Sequence, residues 1–78
     1  MKVKVVSAIG GGEITVSIDE SAPVRELKRI VAEQKRIPPQ TVIVVFRGRQ
    51  LDDFETLAEA GVVPLDKLYL ITRTTGGM

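Results

Sequence analysis

The sequence predicts an α+β fold in which one helix packs against one face of a β-sheet. Three observations lead to this prediction. Apolar and polar residues alternate in two segments near the N-terminus, as is typical of half-buried strands, and a further strand-like segment ends at Thr72 near the other end. Between these ends, one segment has the 3.6-residue periodicity of a helix. With 78 residues, the chain is long enough for one domain only, so these elements must share a single core.

Two N-terminal strands are expected to form a hairpin. Their apolar positions are Met1, Val3 and Val5 in the first strand and Ile14, Val16 and Ile18 in the second. Lysine, threonine and serine fill the positions between them, so each strand has one apolar face. Gly10–Gly12 lie between the strands and can adopt positive φ without a Cβ clash, which predicts the turn.

One long helix is expected from Pro23 to about Lys35. Its apolar stripe, spaced at i, i+3 and i+7, consists of Val24, Leu27 and Val31. Proline suits the first helical position because its fixed φ is already helical, and Ser21 or Ala22 would then cap the helix. Ile37–Pro39 should end it, since a proline disfavours the helical conformation in the residue before it.

The second half of the chain is predicted to add further strands and a short helix. Thr41–Phe46 is rich in β-branched residues and is expected to be a strand, followed after Gly48 by an extended piece at Gln50–Leu51. Thr56–Gly61 should form one or two helical turns that end at the glycine. Lys67–Thr72 is the expected last strand, with Leu68 and Leu70 on one face and Tyr69 and Ile71 on the other.

The predicted domain spans residues 1–72, and residues 73–78, with the sequence "RTTGGM", are expected to form a flexible tail. The tail contributes almost nothing to a hydrophobic core, so folding gives no reason for its order. One long helix can cover only one face of a sheet. The other face should therefore stay at least partly open to solvent or to partners.

The composition excludes most enzyme mechanisms. The chain has no cysteine and no histidine, which removes disulfides, thiol nucleophiles, imidazole acid–base chemistry and the commonest metal ligands. Eleven basic residues nearly balance ten acidic ones and are interspersed with them, so neither nucleic acid nor an anionic membrane is an expected partner. The longest aliphatic and aromatic run, Val42–Phe46, is far too short to span a membrane. We expect a soluble, cytoplasmic, monomeric protein that is not an enzyme and has no metal or cofactor of its own.

Four segments, in this order, make the chain resemble the ubiquitin family. They are "RIPP" at residues 36–39, "FRGRQLDD" at 46–53, "TLAEAGV" at 56–62, and the Gly-Gly pair after the last strand. The resemblance covers essentially the whole chain, with one additional glycine in the first turn. It implies the β-grasp fold, a mixed sheet of four to five strands packed on one main helix, with the first and last strands paired in parallel at the sheet centre. Two further features, described below, resemble an archaeal ubiquitin-like protein: most lysines that ubiquitin uses for chain building are replaced, and Met78 follows the Gly-Gly pair.

The resemblance also implies a function for the tail. Ubiquitin-like modifiers are joined to lysines of target proteins through the carboxylate of the second terminal glycine, here Gly77, after a partner enzyme has used ATP to activate it. Gly76 and Gly77 are thus the expected conjugation terminus, and because they lack a Cβ they can enter a narrow channel. The implied partners are activating and conjugating enzymes, a processing peptidase and the targets.

Two other tail residues have expected roles. Arg73 occupies the position where ubiquitin has an arginine that its activating enzyme recognises, and a guanidinium can make bidentate contacts with an acidic pocket. From residue type alone, Arg73 would instead be a solubilising charge at a strand edge. Met78 blocks the carboxylate of Gly77, so a peptidase is expected to cleave the Gly77–Met78 bond.

A hydrophobic partner patch is expected on the open face of the sheet. Val45 and Ile71 correspond to two members of ubiquitin's recognition patch, and Ala8 or Ile9 in the first turn falls near the third. Both Val45 and Ile71 should face away from the core. The alternative interpretation is β-propensity alone, because branched residues are common on exposed strand faces.

The lysines that ubiquitin uses for chain building are mostly replaced by other residues. Only Lys28 matches a family lysine, and its place beside the apolar stripe of the helix predicts a partly buried structural role with a packed stem and a paired ammonium. Lys2, Lys4, Lys35 and Lys67 remain as possible acceptors.

Two other functions are compatible with the same features. Related β-grasp proteins that end in Gly-Gly act as sulfur carriers, with a thiocarboxylate at the terminus. A non-covalent adaptor domain would use the folded part alone. The three ubiquitin-like internal segments favour the modifier, because sulfur carriers usually lack that set.

Overall fold

The computed structural model describes residues 1–7 and 12–72. Within these residues the chain forms five strands, two α-helices and a 3-10 turn at Pro39–Thr41. In chain order, the elements are β1 (Lys2–Ser7), β2 (Glu13–Ser17), α1 (Val24–Lys35), β3 (Val42–Phe46), β4 (Arg49–Gln50), α2 (Leu57–Ala60) and β5 (Lys67–Thr72). The predicted α+β class is confirmed, and the last strand, Lys67–Thr72, has the predicted bounds.

The sheet has the strand order β2-β1-β5-β3-β4. Strands β1 and β5 run parallel at its centre, whereas β1 with β2, β3 with β5 and β3 with β4 are antiparallel. This is the β-grasp arrangement that the resemblance implied. Strand β5, which ends at Thr72, lies between β1 and β3 and is therefore hydrogen-bonded on both sides.

The core lies between α1 and one face of the sheet. Val24, Leu27 and Val31, the predicted helical stripe, are fully buried. They pack in the same cluster as residues from β1 and β5, among them Val3 and Leu68. Burying each such aliphatic side chain contributes about 1.5–3 kcal/mol, so this single layer supplies most of the driving force for folding.

The N-terminus of α1 differs from the prediction. Pro23 is not the first helical residue but precedes it, with extended dihedrals of φ −73° and ψ 156°, and no side chain caps the helix. Ser21 and Ala22 therefore have no capping role. The amides of Val24 and Arg25 instead donate to carbonyls of the loop before α2, at 2.8 and 3.0 Å. A distant segment thus satisfies the free amides of the first turn.

The C-terminus of α1 is a Schellman motif without glycine. Arg36 has a left-handed backbone with φ 57°. Its amide donates to the Glu33 carbonyl at 3.3 Å, and the Ile37 amide donates to the Ala32 carbonyl at 3.0 Å. The predicted end at Lys35 is confirmed. The prolines that follow only prevent the helix from restarting, and the first residue of the expected strand, Thr41, belongs to the 3-10 turn.

Helix α2 is fixed at both ends by its own sequence. At its start, the Glu59 amide donates to the Thr56 hydroxyl at 3.0 Å, and the Thr56 amide donates to the Glu59 carboxylate at 2.9 Å. This capping box satisfies two free amides. At its end, Gly61 has φ 84°, which is the left-handed glycine that the sequence predicted.

No helix in the described part of the chain combines the length and the apolar character needed to cross a bilayer.

Candidate partner-binding surface

The face of the sheet opposite α1 carries a group of apolar side chains. The strand register places Ile43 beside Ile71, Val45 beside Tyr69, and Val6 beside Tyr69 on its other side. Because strand residues alternate between faces, these positions share one face across three adjacent strands. We call this set the apolar zone; it consists of Val6, Ile43, Val45, Tyr69 and Ile71.

The apolar zone is accessible to a partner. Tyr69 is 51% exposed and Ile71 is 39% exposed, while the other three members are half-buried. The alternate residues on the same strands, such as Val44 and Leu70, are fully buried in the core. The structure therefore places Val45 and Ile71 on the outer face, in the predicted phase. Their role in binding stays a prediction.

The remaining expected site residues lie outside the described residues. Ala8 and Ile9 belong to the first turn, and Arg73, Gly76, Gly77 and Met78 belong to the C-terminal segment. The described chain leads directly into that segment, because β5 ends at Thr72.

Three members of the apolar zone were not singled out as site residues from the sequence. Ile43 and Tyr69 are two residues away from Val45 and Ile71 on the same strands, so the alternation that selected the predicted pair also selects them. Val6 was harder to find. It follows the core residue Val5 directly, and only its phase with Lys2 and Lys4 indicates an outward side chain.

Three lysines occupy the part of the same face next to the apolar zone. Lys2 and Lys4 alternate with the buried Val3 and Val5, and Lys67 is the register partner of Lys4 on β5. We call Lys2, Lys4 and Lys67 the lysine zone. Within the described chain, the Glu13 carboxylate is the only one in ion-pair contact with this zone, at 3.8 Å from Lys67 Nζ.

Lys28 has the structural role that was expected of it. Its side chain is 11% exposed, and its ammonium forms an ion pair with the Asp53 carboxylate, whose side chain is 49% exposed. The pair joins α1 to the loop between β4 and α2. Buried as it is, the Lys28 amine is a poor candidate for modification.

A second ion pair fixes the short edge strand β4 to the same loop. The guanidinium of Arg49 contacts both carboxylate oxygens of Glu55, at 3.2 and 2.8 Å, and the Asp52 amide donates to one of them at 3.1 Å. The hydrogen bond from Arg49, followed by that from the Asp52 amide, lowers the pKa of the Glu55 carboxyl below its ordinary value. In the part of the chain that the structure describes, no group of three or more acidic side chains is placed to hold a metal ion.

The five-stranded sheet, its parallel central pair and its uncovered apolar face define a ubiquitin-like protein. Residues 1–75 match the family model described as "Ubiquitin family", and the chain belongs to the ubiquitin family. A solved structure titled "Caldiarchaeum Subterraneum Ubiquitin" superposes with a TM-score of 0.87 at 42% identity, covering 99% of this chain and 98% of that one.

Curated relatives agree with this assignment. The NEDD8-like protein RUB1 of Saccharomyces cerevisiae is 35% identical over 72 residues, which cover 92% of this chain and 94% of that protein. The ubiquitin-like protein NEDD8 of Dictyostelium discoideum is 29% identical over 73 residues, with 94% and 95% covered. By contrast, the chain matches only 46% of ubiquitin-like protein 4A of Esox lucius, at 31% identity. Proteins of this family are in general modifiers rather than enzymes and work with activating and conjugating enzymes.

Proposed function

We propose that this chain is a covalent protein modifier that is attached to target lysines through the carboxylate of Gly77. The observation that carries the proposal is the Gly-Gly pair, residues 76 and 77, placed four residues after the end of β5 at Thr72. A central strand held by neighbours on both sides is a firm base for a tail, which we propose is flexible from Arg73 onward.

The chemistry requires a partner enzyme because a carboxylate is a poor electrophile. The activating enzyme joins the Gly77 carboxylate to the α-phosphate of ATP, releasing pyrophosphate, and the resulting acyl adenylate reacts with an enzyme thiol to give a thioester and AMP. A target lysine amine then displaces the thiolate to form the isopeptide bond. The modifier contributes the acyl group and neither a cofactor nor a catalytic side chain.

The tail residues suit this role. Gly76 and Gly77 have no Cβ, so the reacting carbonyl can pass through a channel that any side chain would obstruct. Thr74 and Thr75 are β-branched and favour an extended backbone. Arg73 offers a bidentate guanidinium for an acidic pocket of the activating enzyme.

Met78 must be removed before activation, because an amide at Gly77 leaves no carboxylate. We propose that a processing peptidase hydrolyses the Gly77–Met78 bond. Intact-mass analysis before and after treatment with that peptidase should show the loss of one methionine residue. Full conjugation activity without any mass change would contradict the processing step.

The apolar zone is proposed as the surface that the partners bind. Val45 and Ile71 are its predicted members, with Ala8 or Ile9 as a further contact from the first turn. Burying a few aliphatic side chains in a small interface suits the transient contacts that activation and transfer require. We propose that the protein acts as a monomer in the cytoplasm, where ATP is available to the activating enzyme. An archaeal source is proposed as well, supported by the similarity to the Caldiarchaeum subterraneum ubiquitin.

One reaction separates the modifier from its alternatives. The chain ending at Gly77 is incubated with ATP and a candidate activating enzyme, and the mass of its terminus is followed, with Gly76→Val as the matched control. The modifier predicts a thiol-sensitive adduct on an enzyme cysteine, then an isopeptide bond, both weakened in the control. Replacement of one terminal oxygen by sulfur would identify a sulfur carrier, and an inert terminus would identify a non-covalent adaptor; either result contradicts the proposal.

A further inference from the structure

We propose that the open face of the sheet recognises a protein segment that carries apolar side chains at one end and two or more carboxylates at the other. The apolar zone receives the first part and the lysine zone receives the second. The inference rests on the proposed function, in that it names the chemistry of the partners that this modifier binds.

The lysine zone is built by the sheet itself. Lys2 and Lys4 are two residues apart on β1, so their Cα atoms are about 7 Å apart on the same face. Lys67 is directly beside Lys4 on the parallel neighbour β5, at a strand spacing of about 4.8 Å. The Cα atoms of the three lysines therefore lie within about 7 Å of one another along the strands and about 4.8 Å across them.

This arrangement opposes folding. Like charges placed directly opposite each other on neighbouring strands destabilise the pair. Among the described residues, Glu13 contacts Lys67 at 3.8 Å, and no carboxylate contacts Lys2 or Lys4. Two neighbouring lysines without an anion, beside a third that has one distant carboxylate, in a protein with a formal charge of only +1, indicate a surface whose missing anions come from a partner.

The two zones are continuous along both central strands. On β1, Lys4 is followed on the same face by Val6, and on β5, Lys67 is followed by Tyr69. The Cα atoms of Lys67 and Tyr69 are about 7 Å apart along β5, so one bound segment can contact both zones. In an extended segment, this distance separates residues two positions apart. Phosphate or nucleic acid would satisfy the lysines but would leave the adjoining apolar zone uncovered, so a peptide is the occupant that fits both.

Selection from a random peptide library tests which side chains the sheet face prefers in a bound peptide, and it requires no identified partner. The full chain is immobilised through a C-terminal tag and used to select displayed 12-residue peptides. The experiment is repeated with the double variant K4Q/K67Q, with Ile71→Ser, and with the matched control K35Q/R36Q, which removes two positive charges from the end of α1. Gln retains the length of the side chain and removes its charge.

The inference predicts peptides in which an apolar cluster lies within a few residues of two or more Asp or Glu. K4Q/K67Q removes the proposed ion pairs of the half-buried Lys4 and the exposed Lys67 with the peptide, so its affinity should fall about 2- to 30-fold. The difference in affinity between K4Q/K67Q and the native chain should be smaller in 1 M salt, because salt screens the lysine–carboxylate contacts and not the apolar ones. Binding to K35Q/R36Q should be unchanged, and binding to Ile71→Ser should be lost. The urea midpoint of K4Q/K67Q should equal or exceed that of the native chain, which excludes unfolding as the cause.

The possible failures can be told apart. Peptides that require Ile71 but show no enrichment in Asp or Glu would overturn the inference and leave the apolar zone as a recognition surface. Peptides equally weakened by K35Q/R36Q would also overturn it, because net charge alone would then explain binding. The selection does not involve Gly77, so conjugation can fail or succeed independently of either result.

Discussion

In the Lys28–Asp53 ion pair, the two residues differ in exposure, so removing one or the other should change the unfolding free energy by different amounts. Lys28 is almost fully buried, whereas half of the Asp53 side chain is in water. Asp53→Asn leaves a buried ammonium without its anion and should cost about 1–3 kcal/mol of unfolding free energy. Lys28→Met keeps the packed stem, removes the charge and leaves a hydrated carboxylate, so it should cost less. Urea unfolding of both variants measures the difference, and a larger loss for Lys28→Met would contradict this account.

Glu55 should make stability depend on pH. Its folded-state pKa is lower than its ordinary value of 4.5, chiefly because Arg49 donates to the carboxylate. A lowered pKa stabilises the fold above the ordinary value, and this contribution is lost as the pH falls through the folded-state pKa. Glu55→Gln should therefore flatten the decline of the urea midpoint as the pH falls below about 5. An unchanged slope, with Glu33→Gln as the control, would show that the pair contributes nothing.

Single residues were predictable where the chain's own pattern determined them. The burial of Lys28 followed from its position beside the helical stripe. Its partner Asp53 did not, because 25 residues separate the two and no local periodicity links them. The same holds for Val6, whose outward direction depends on the phase of the whole strand.

At the scale of the element, Arg36 is the position in the α1 C-terminus where a side chain occupies a left-handed backbone conformation. A side chain at φ 57° is strained by about 1 kcal/mol, and glycine relieves this strain. Glycine also gives the unfolded chain more conformational entropy, which offsets part of this relief, so Arg36→Gly should raise the unfolding free energy by up to about 0.6 kcal/mol, measured by urea unfolding. Arg36→Ala retains the Cβ and is the matched control that should gain nothing. Loss of stability in the glycine variant would mean that the arginine side chain stabilises the helix end in some other way.

Helix ends were only partly predictable, for physical reasons. Gly61 was predicted because glycine is the usual residue at a left-handed C-terminal position. The Thr56–Glu59 capping box carries a recognisable signal, four residues that begin with threonine and end with glutamate, although the helix was predicted from its glycine end. The start of α1 could not be predicted, because carbonyls from a loop about 30 residues later satisfy its first amides.

At the scale of the whole molecule, the order of the strands in the sheet could not be predicted from the periodicity of the sequence. Periodicity predicted that β1 and β5 are strands, but it did not indicate that they are parallel neighbours. Pairing between the two ends of a chain is set by the shared core, which only the assembled layer defines. The β-grasp topology came from resemblance, and the described sheet confirms it.

If Gly77 is joined to lysines of other proteins, as proposed, the attachment site can be detected directly in those proteins. Trypsin cleaves after Arg73, so a conjugated target peptide should carry a lysine extended by Thr-Thr-Gly-Gly, residues 74–77. Mass spectrometry of digested proteins from the producing cells, compared with cells that express Gly76→Val/Gly77→Val, measures this remnant. The account predicts lysines that bear it in the first sample and not in the second. Recovery of the protein with a free or sulfur-bearing terminus and no such lysine would contradict it.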